Sequence, residues 1–378
     1  MSDGRRRICV IVPTHISARM GGAQYQVEQL VQRMSERQDL CVRYLARKID
    51  PSFKPKNYEL ESFASSTDSG MGRLGHLVDC RRLYSRLALY NPDVIYERVG
   101  GAFTGVAALF AQRNGKRFVW HVAHDNDVTP GLLAHSAPRL VRRAERFLLD
   151  YGLGKADVII AQTRAQQERI ERFFGRRDSV LVPNFHPTPT EKLDKTGIRQ
   201  VVWVANFKKW KRPEAFVALA EKLVAFTSAR FIMLGARSED HFWQTSLEER
   251  IAHVPNLEYL GEVSQQAVNE LLATSHLFVN TSEAEGFANT FIQAWLRQVP
   301  VVSLSVDPDG VLGREGIGFG CEGDESRLHE VVRGLLTNEN ERSAMGVRAQ
   351  AYAAEHHSEL NMARLITILD ADRQTRSK

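Results

Sequence analysis

Cysteine is scarce in this chain. Four residues in 378, Cys9, Cys41, Cys80 and Cys321, are scattered with no CxxC pair and no metal-like grouping with histidine. A disulfide scaffold and a zinc-ribbon module are thereby excluded, and the four read as reduced, structural thiols. Long apolar runs are also missing, and none approaches the roughly 18 residues a membrane span needs. Arg5-Arg6-Arg7 precedes an apolar run, Ile8–Val12, but that run stops at Pro13, too short for a signal-peptide core. The expectation is a cytoplasmic chain, at most resting on the inner face of the membrane. The first strand is not followed by GxGxxG, so the fingerprint of nucleotide-binding dehydrogenases is absent. No helix-turn-helix, RRM, KH or zinc-finger pattern is visible either, which argues against nucleic acid as a partner. No internal repeat of strong identity appears.

What is present is an ordinary globular composition, 43% hydrophobic and 25% charged, which excludes wholesale disorder. The length suits two domains with proper cores. Net charge is +5, yet it is unevenly spread: residues 1–186 hold 29 Lys and Arg against 19 Asp and Glu, and the remainder is net acidic. Such asymmetry suits a first half that faces an anionic partner. The stretch Arg139 to Leu149, with Arg142, Arg143 and Arg146, has the pattern of a basic amphipathic helix that could lie on anionic lipid, or of a solvated basic face.

Strand and helix signals alternate along the chain, the mark of a parallel sheet covered on both faces. Apolar strands are expected at Arg7–Thr14, Leu40–Leu45, Pro92–Glu97, Arg117–Val122, Asp157–Gln162 and Val180–Val182, with a short strand at Tyr58–Phe63 inside the loop Pro51–Gly72. Helical periods fall at Leu74–Leu89, Gly105–Gln112, Ala137–Tyr151 and Arg164–Phe174. After Pro183-Asn184-Phe185-His186-Pro187 a polar linker follows. A second cycle runs through Gln200–Ala205, Phe231–Gly235 and Leu257–Gly261, then helices at Glu325–Leu336, Glu339–Ala354 and Leu360–Leu369. The division expected is residues 1–186, a linker at 187–198, residues 199–356, and a terminal helix at 357–378 that returns to the first domain.

The most informative stretch is Leu277–Leu304. An apolar strand, Leu277–Val279, enters a polar turn, then a helical period from Phe287 to Arg297, then a second strand at Pro300–Leu304. Such a unit sets the turn and helix N-terminus at the carboxyl edge of a parallel sheet, where backbone N–H groups of Phe287, Ala288 and Asn289 and the helix dipole favour an anion. Glu285-Gly286-Phe287, Asn289-Thr290, Ala294-Trp295 and Pro300-Val301-Val302 resemble the donor-site signature of glycosyltransferase family 4 (group 1). That resemblance implies the GT-B architecture, an α/β fold of two Rossmann-like domains facing a cleft. It also implies a retaining, metal-independent, hexosyltransferase-type enzyme. Its co-substrate would be a nucleotide-diphosphate sugar, with no cofactor. The acceptor would be a glycan or lipid-linked sugar, as in cell-surface polysaccharide biosynthesis. Asp307-Pro-Asp309 is only a weak echo of a metal-binding acidic pair.

The resemblance also implies the site. Lys211, in the basic run after Gln200–Ala205, matches a lysine that holds the donor diphosphate. The family's arginine at that loop is Asn206 here, so Lys208, Lys209 or Arg212 could supply the missing charge. Glu285 would accept bonds from sugar hydroxyls, with Gly286, Phe287, Ala288, Asn289 and Thr290 lining the donor. Gln293 stands where the family has a second glutamate; one carbonyl in place of a carboxylate predicts a weaker grip on ribose. Gly22, in the Gly21-Gly22 pair before the first helix, would approach the donor, and Val263 would lie near the base. On the acceptor side, His124 would face the reaction centre, with His121, Asp125 and Arg98 beside it. Two other readings stay open: a sugar-nucleotide epimerase on the same fold, and a degenerate, non-catalytic partner subunit.

Overall fold

The computed structural model describes residues 4–64, 74–130 and 139–372. The expected loop Pro51–Gly72 beyond residue 64, and the start of the helix expected from Ala137, lie outside the described residues. Two compact units divide the chain, one holding residues up to Asn184 and from Leu360 onward, the other Phe185–Glu359.

In the first unit the strands are β1 (Arg6–Thr14), β2 (Leu40–Lys48), β3 (Glu59–Ser62), β4 (Val94–Arg98), β5 (Arg117–His121), β6 (Val158–Ala161) and β7 (Val180–Leu181). They form one parallel sheet in the order β3-β2-β1-β4-β5-β6-β7. Helices α1 (Gly22–Ser35), α2 (Leu74–Tyr90), α3 (Ala102–Asn114), α4 (Arg139–Lys155) and α5 (Arg164–Phe174) provide the crossovers. Strands buried on both faces read as continuous apolar runs, as Ile8–Val12 does, fully buried in β1. Helices α3 and α4 cross so closely that a methyl group on Gly105 would lie 2.5 Å from the Leu148 carbonyl.

The second unit repeats the plan. Its strands are β8 (Arg199–Val204), β9 (Ala229–Leu234), β10 (Leu257–Tyr259), β11 (Leu277–Asn280), β12 (Val301–Ser303) and β13 (Gly318–Gly320), ordered β10-β9-β8-β11-β12-β13. Alternate residues feed opposite layers. Val201, Trp203, Phe231 and Met233 join one core, while Val202, Ile232, Leu234 and Phe278 join the other. The helices are α6 (Pro213–Lys222), α7 (His241–Ala252), α8 (Gln265–Thr274), α9 (Asn289–Leu296), α10 (Val311–Arg314), α11 (Glu325–Thr337) and α12 (Glu339–His356). The last helix, α13 (Glu359–Asp370), packs in the first unit, where Asp370 pairs with Arg37 and Asp372 with Arg6.

In both sheets the order reverses between the first and fourth strands of the unit, β1 beside β4 and β8 beside β11. The loops leaving those neighbours diverge to opposite faces and open a crevice at the carboxyl edge, the place where open α/β sheets bind ligands. The doubly wound plan expected from the alternation, a parallel sheet with helices on both faces, is therefore present twice.

Candidate functional site

At the β8/β11 switch the two divergent loops are laced together. After β8 the chain forms a 3-10 turn, Lys209–Lys211, then Arg212 in the left-handed region (φ 48°) and Pro213 as first residue of α6. Thr281 Oγ1, after β11, accepts from Trp203 Nε1 at 2.8 Å and donates to the Lys211 carbonyl at 2.8 Å. The Glu283 N–H donates to the Trp210 carbonyl at 2.9 Å. Those bonds bring the Lys211 ammonium onto Glu285 Oε1, an ion pair with both side chains largely buried. Lys211 Nζ also lies 4.1 Å from the centre of the Trp210 ring. Glu285 Oε1 accepts a second bond, from Ser282 Oγ at 2.7 Å, and Ser282 is itself 1% exposed.

The helix beyond this turn starts later than its apolar period suggests. α9 begins at Asn289, with Ala288 as an N-cap that supplies no side-chain bond. Phe287 lies outside the helix and packs on Trp295 and His357, at ring centroid distances of 6.2 and 4.8 Å, which fixes the entry of the chain. The first-turn N–H groups and the dipole of α9 thus face the same crevice edge as Gly286.

Neighbouring turns hold this edge rigid. Gly235, after β9, has φ 146°, and a methyl group there would fall 1.8 Å from the Ala205 carbonyl. Its carbonyl accepts from Tyr259 Oη at 2.8 Å, and its N–H donates to the Gly261 carbonyl. Asn206 Oδ1 accepts from the Ala236 N–H at 3.2 Å, so this side chain shapes the turn. Val263 is half-buried against the α9 layer.

Several expected residues have other employment. Arg212 pairs with Glu325 and Glu214, and Lys209 with Asp240 at 3.1 Å. Lys208 lies 5.5 Å from the Trp210 ring. Gln293 is 3% exposed, and its Nε2 donates to Asn269 Oδ1 on α8 at 2.9 Å.

In the first unit, Gly22 opens α1 beside β1. The strand β4 ends in Glu97 and Arg98, both buried. Arg98 Nη2 donates to Asn184 Oδ1 at 2.6 Å, so it is a buried anchor and not a surface contact for acceptor. His121 is equally buried; its Nδ1 bonds Tyr96 Oη at 2.8 Å, and burial with the Arg98 charge pushes it well below the usual histidine range. Asp125 pairs with Arg169 and accepts from Gln166 Nε2 at 3.0 Å, which turns it toward α5. His124, half-buried, caps a 3-10 turn, Asp125–Val128, and its Nδ1 accepts from the Asn126 N–H at 3.1 Å. Between Arg98 and the Gly100-Gly101 pair, Val99 has φ 83°. A β-branched residue held there costs about 1–3 kcal/mol, and such outliers gather at functional sites.

Sequence reasoning gave no role to Ser282, Thr281, Trp203, Glu97 or Asp127. The spacing of Ser282, three residues before Glu285, and of Asp127, three after His124, carried the only local signal, that of side chains bonding across one turn.

Among the described residues no helix is long and apolar enough to cross a membrane. The family model for group 1 glycosyl transferases matches residues 198–338, and a glycosyl transferase 4-like domain model matches residues 14–184. N-acetyl-alpha-D-glucosaminyl L-malate synthase of Bacillus anthracis is 26% identical over 281 residues, 69% of each chain. Among solved structures, Anabaena Alr3699/HepE in complex with UDP and glucose is similar with a TM-score of 0.77 at 17% identity, covering 96% of this chain and 99% of that one. WaaG, a glycosyltransferase involved in lipopolysaccharide biosynthesis, gives 0.74 at 14% identity, covering 96% and 100%. The chain belongs to the group 1 glycosyltransferases and carries their GT-B fold.

Proposed function

We propose that the protein is a retaining, metal-independent glycosyltransferase that moves a hexosyl group from a nucleotide-diphosphate sugar to a glycan or lipid-linked acceptor in cell-surface polysaccharide synthesis. The observation that carries this reading is the pairing of Lys211 with Glu285 at the β8/β11 switch, beside the N-terminus of α9. A cation and a helix N-terminus at one sheet edge suit a diphosphate. A carboxylate held by Ser282 and Lys211 suits a sugar hydroxyl. The UDP and glucose bound by Alr3699/HepE, and the lipopolysaccharide role of WaaG, support the same donor and pathway class.

In this reading the bond from the anomeric carbon to the diphosphate breaks as the acceptor oxygen bonds that carbon on the same face. The acceptor proton passes to the leaving diphosphate, whose growing charge Lys211 and the α9 N–H groups stabilise. Glu285, Gly286, Phe287, Ala288, Asn289 and Thr290 line the donor, with Val263 near the base and Gln293 reaching ribose through its carbonyl. His124 serves the acceptor side.

The membrane reading attaches to α4. Leu140 and Phe147 are 78% and 69% exposed, and Arg139 and Arg143 share their face, while Val141, Glu145 and Leu149 point inward. Exposed apolar side chains ringed by arginine suit the surface of an anionic bilayer at the inner face of the membrane.

The test is nucleotide binding followed by turnover. Thermal shifts with UDP, GDP and ADP should reveal one bound nucleotide, and radiolabelled sugar should pass from its nucleotide to material in a membrane extract. No shift with any nucleotide points to a non-catalytic subunit. Free nucleotide and free sugar without any acceptor points to an epimerase.

A further inference from the structure

The turn that carries His124 is built around a second carboxylate. Asp127, 6% exposed, accepts through Oδ2 from the backbone N–H of Ala123 at 3.0 Å and of His124 at 2.9 Å. Its own N–H donates to the His124 carbonyl at 2.9 Å. A methyl group on Gly100 would press within 3.3 Å of the Asp127 Cβ and Cγ. One buried side chain thus ties the end of β5 to the turn after β4, next to the left-handed Val99.

The ring of His124 is oriented by this turn. Because Nδ1 accepts the Asn126 N–H, a neutral imidazole here carries its proton on Nε2. The charged groups nearby have partners of their own. Asp125 is neutralised by Arg169 of α5. On β4, Arg98 is bonded to Asn184. Glu97 accepts from Thr104 Oγ1 at 3.2 Å, and its Oε2 has no hydrogen-bond partner among the described residues. Burial, with the nearby Asp127 charge, pushes Glu97 well above the usual carboxyl range. Burial raises Asp127 as well, against the bonds from the His124 and Ala123 N–H groups.

We propose that Asp127 is a positioning residue for His124: its buried carboxylate fixes the turn so that the imidazole presents Nε2 as its proton-bearing nitrogen. The functional meaning rests on the role given to His124 above; the geometry does not.

The experiment uses the full chain labelled with 15N-histidine and follows long-range nitrogen–proton correlations across pH, with His124→Gln identifying the ring. The wild type should show a bare Nδ1 and a protonated Nε2. Asp127→Asn keeps an acceptor oxygen but puts an NH2 group in the carboxylate's place; it should loosen the turn and mix the two tautomers. If that variant does not melt cooperatively, Asp127→Ser is read in the same way. An unchanged tautomer in a folded variant would overturn the proposal. Full transfer activity in His124→Gln would instead sink the role given to His124, whatever the spectra of the Asp127 variants show.

Discussion

Lys211 and Glu285, 74 residues apart in sequence, form a largely buried ion pair across the two loops that diverge at the β8/β11 switch. A cation that already holds a carboxylate is aimed before any ligand arrives, so little side-chain entropy is left to lose on binding. Removing one member leaves the other partly buried without its partner. Lys211→Met should weaken UDP binding about 10- to 100-fold, the equivalent of losing one charge-assisted bond. Calorimetry with UDP at fixed salt decides this, and an unchanged affinity would remove Lys211 from the donor site.

A substitution at Ser282 distinguishes a sugar contact from a diphosphate contact at Glu285. Its hydroxyl donates to Glu285 Oε1, so Ser282→Ala loosens the carboxylate without touching Lys211. Affinity for UDP-glucose or another bound UDP-sugar should fall by about fivefold, near 1 kcal/mol, with UDP itself unaffected. An equal loss for both ligands would mean that Glu285 serves the phosphates instead.

Gly235 is a position where the backbone admits no side chain. With φ 146°, and with the Ala205 carbonyl only 1.8 Å from where a methyl group would sit, Gly235→Ala must displace the turn after β8. The cost should be at least about 3 kcal/mol, read as a fall in the urea midpoint. A neutral result would show that the edge of this sheet yields easily.

Acid should weaken the second unit partly through His186. Burial lowers this imidazole to about 4, against 6.5 for a free one, and its Nδ1 donates to the Pro187 carbonyl at 3.0 Å. The unfolded chain therefore binds the proton first. The stability contributed by neutral His186 is whole above pH 6.5 and is lost as pH falls toward 4, by about 3 kcal/mol at most. His186→Asn should flatten that part of the stability–pH curve. An unaltered slope in urea titrations between pH 7 and 4 would refute this assignment.

The α4 face makes its own demand. Leu140→Asp combined with Phe147→Asp should abolish co-sedimentation with vesicles of anionic lipid and leave UDP binding intact, because both side chains point to solvent. Equal sedimentation of the double variant and the wild type would dismiss α4 as a lipid contact.

Much of the fold was legible because strand and helix periods in this chain agree with burial. α5 falls on Arg164–Phe174 as its period indicates, and β1 on a run of five fully buried apolar residues. α7 escaped notice because Gln244 is on its buried face while Phe242 stands 88% exposed, which inverts the expected pattern. β13 was hidden by its glycines; Gly318 lies so close to its neighbour that a methyl group would meet the Val301 carbonyl at 2.1 Å.

The sequence by itself determined two doubly wound α/β sheets and a family signature around Glu285, since periodicity and short motifs are local properties. Only the tertiary structure decided which carboxylate each cation meets. Lys211, Lys209 and Arg212 are near-identical neighbours in the chain, yet they turn to Glu285, Asp240 and Glu325 respectively. The reason is physical. A salt bridge or a buried carboxylate such as Asp127 depends on partners brought together by strand order, and strand order is fixed by packing of the whole sheet.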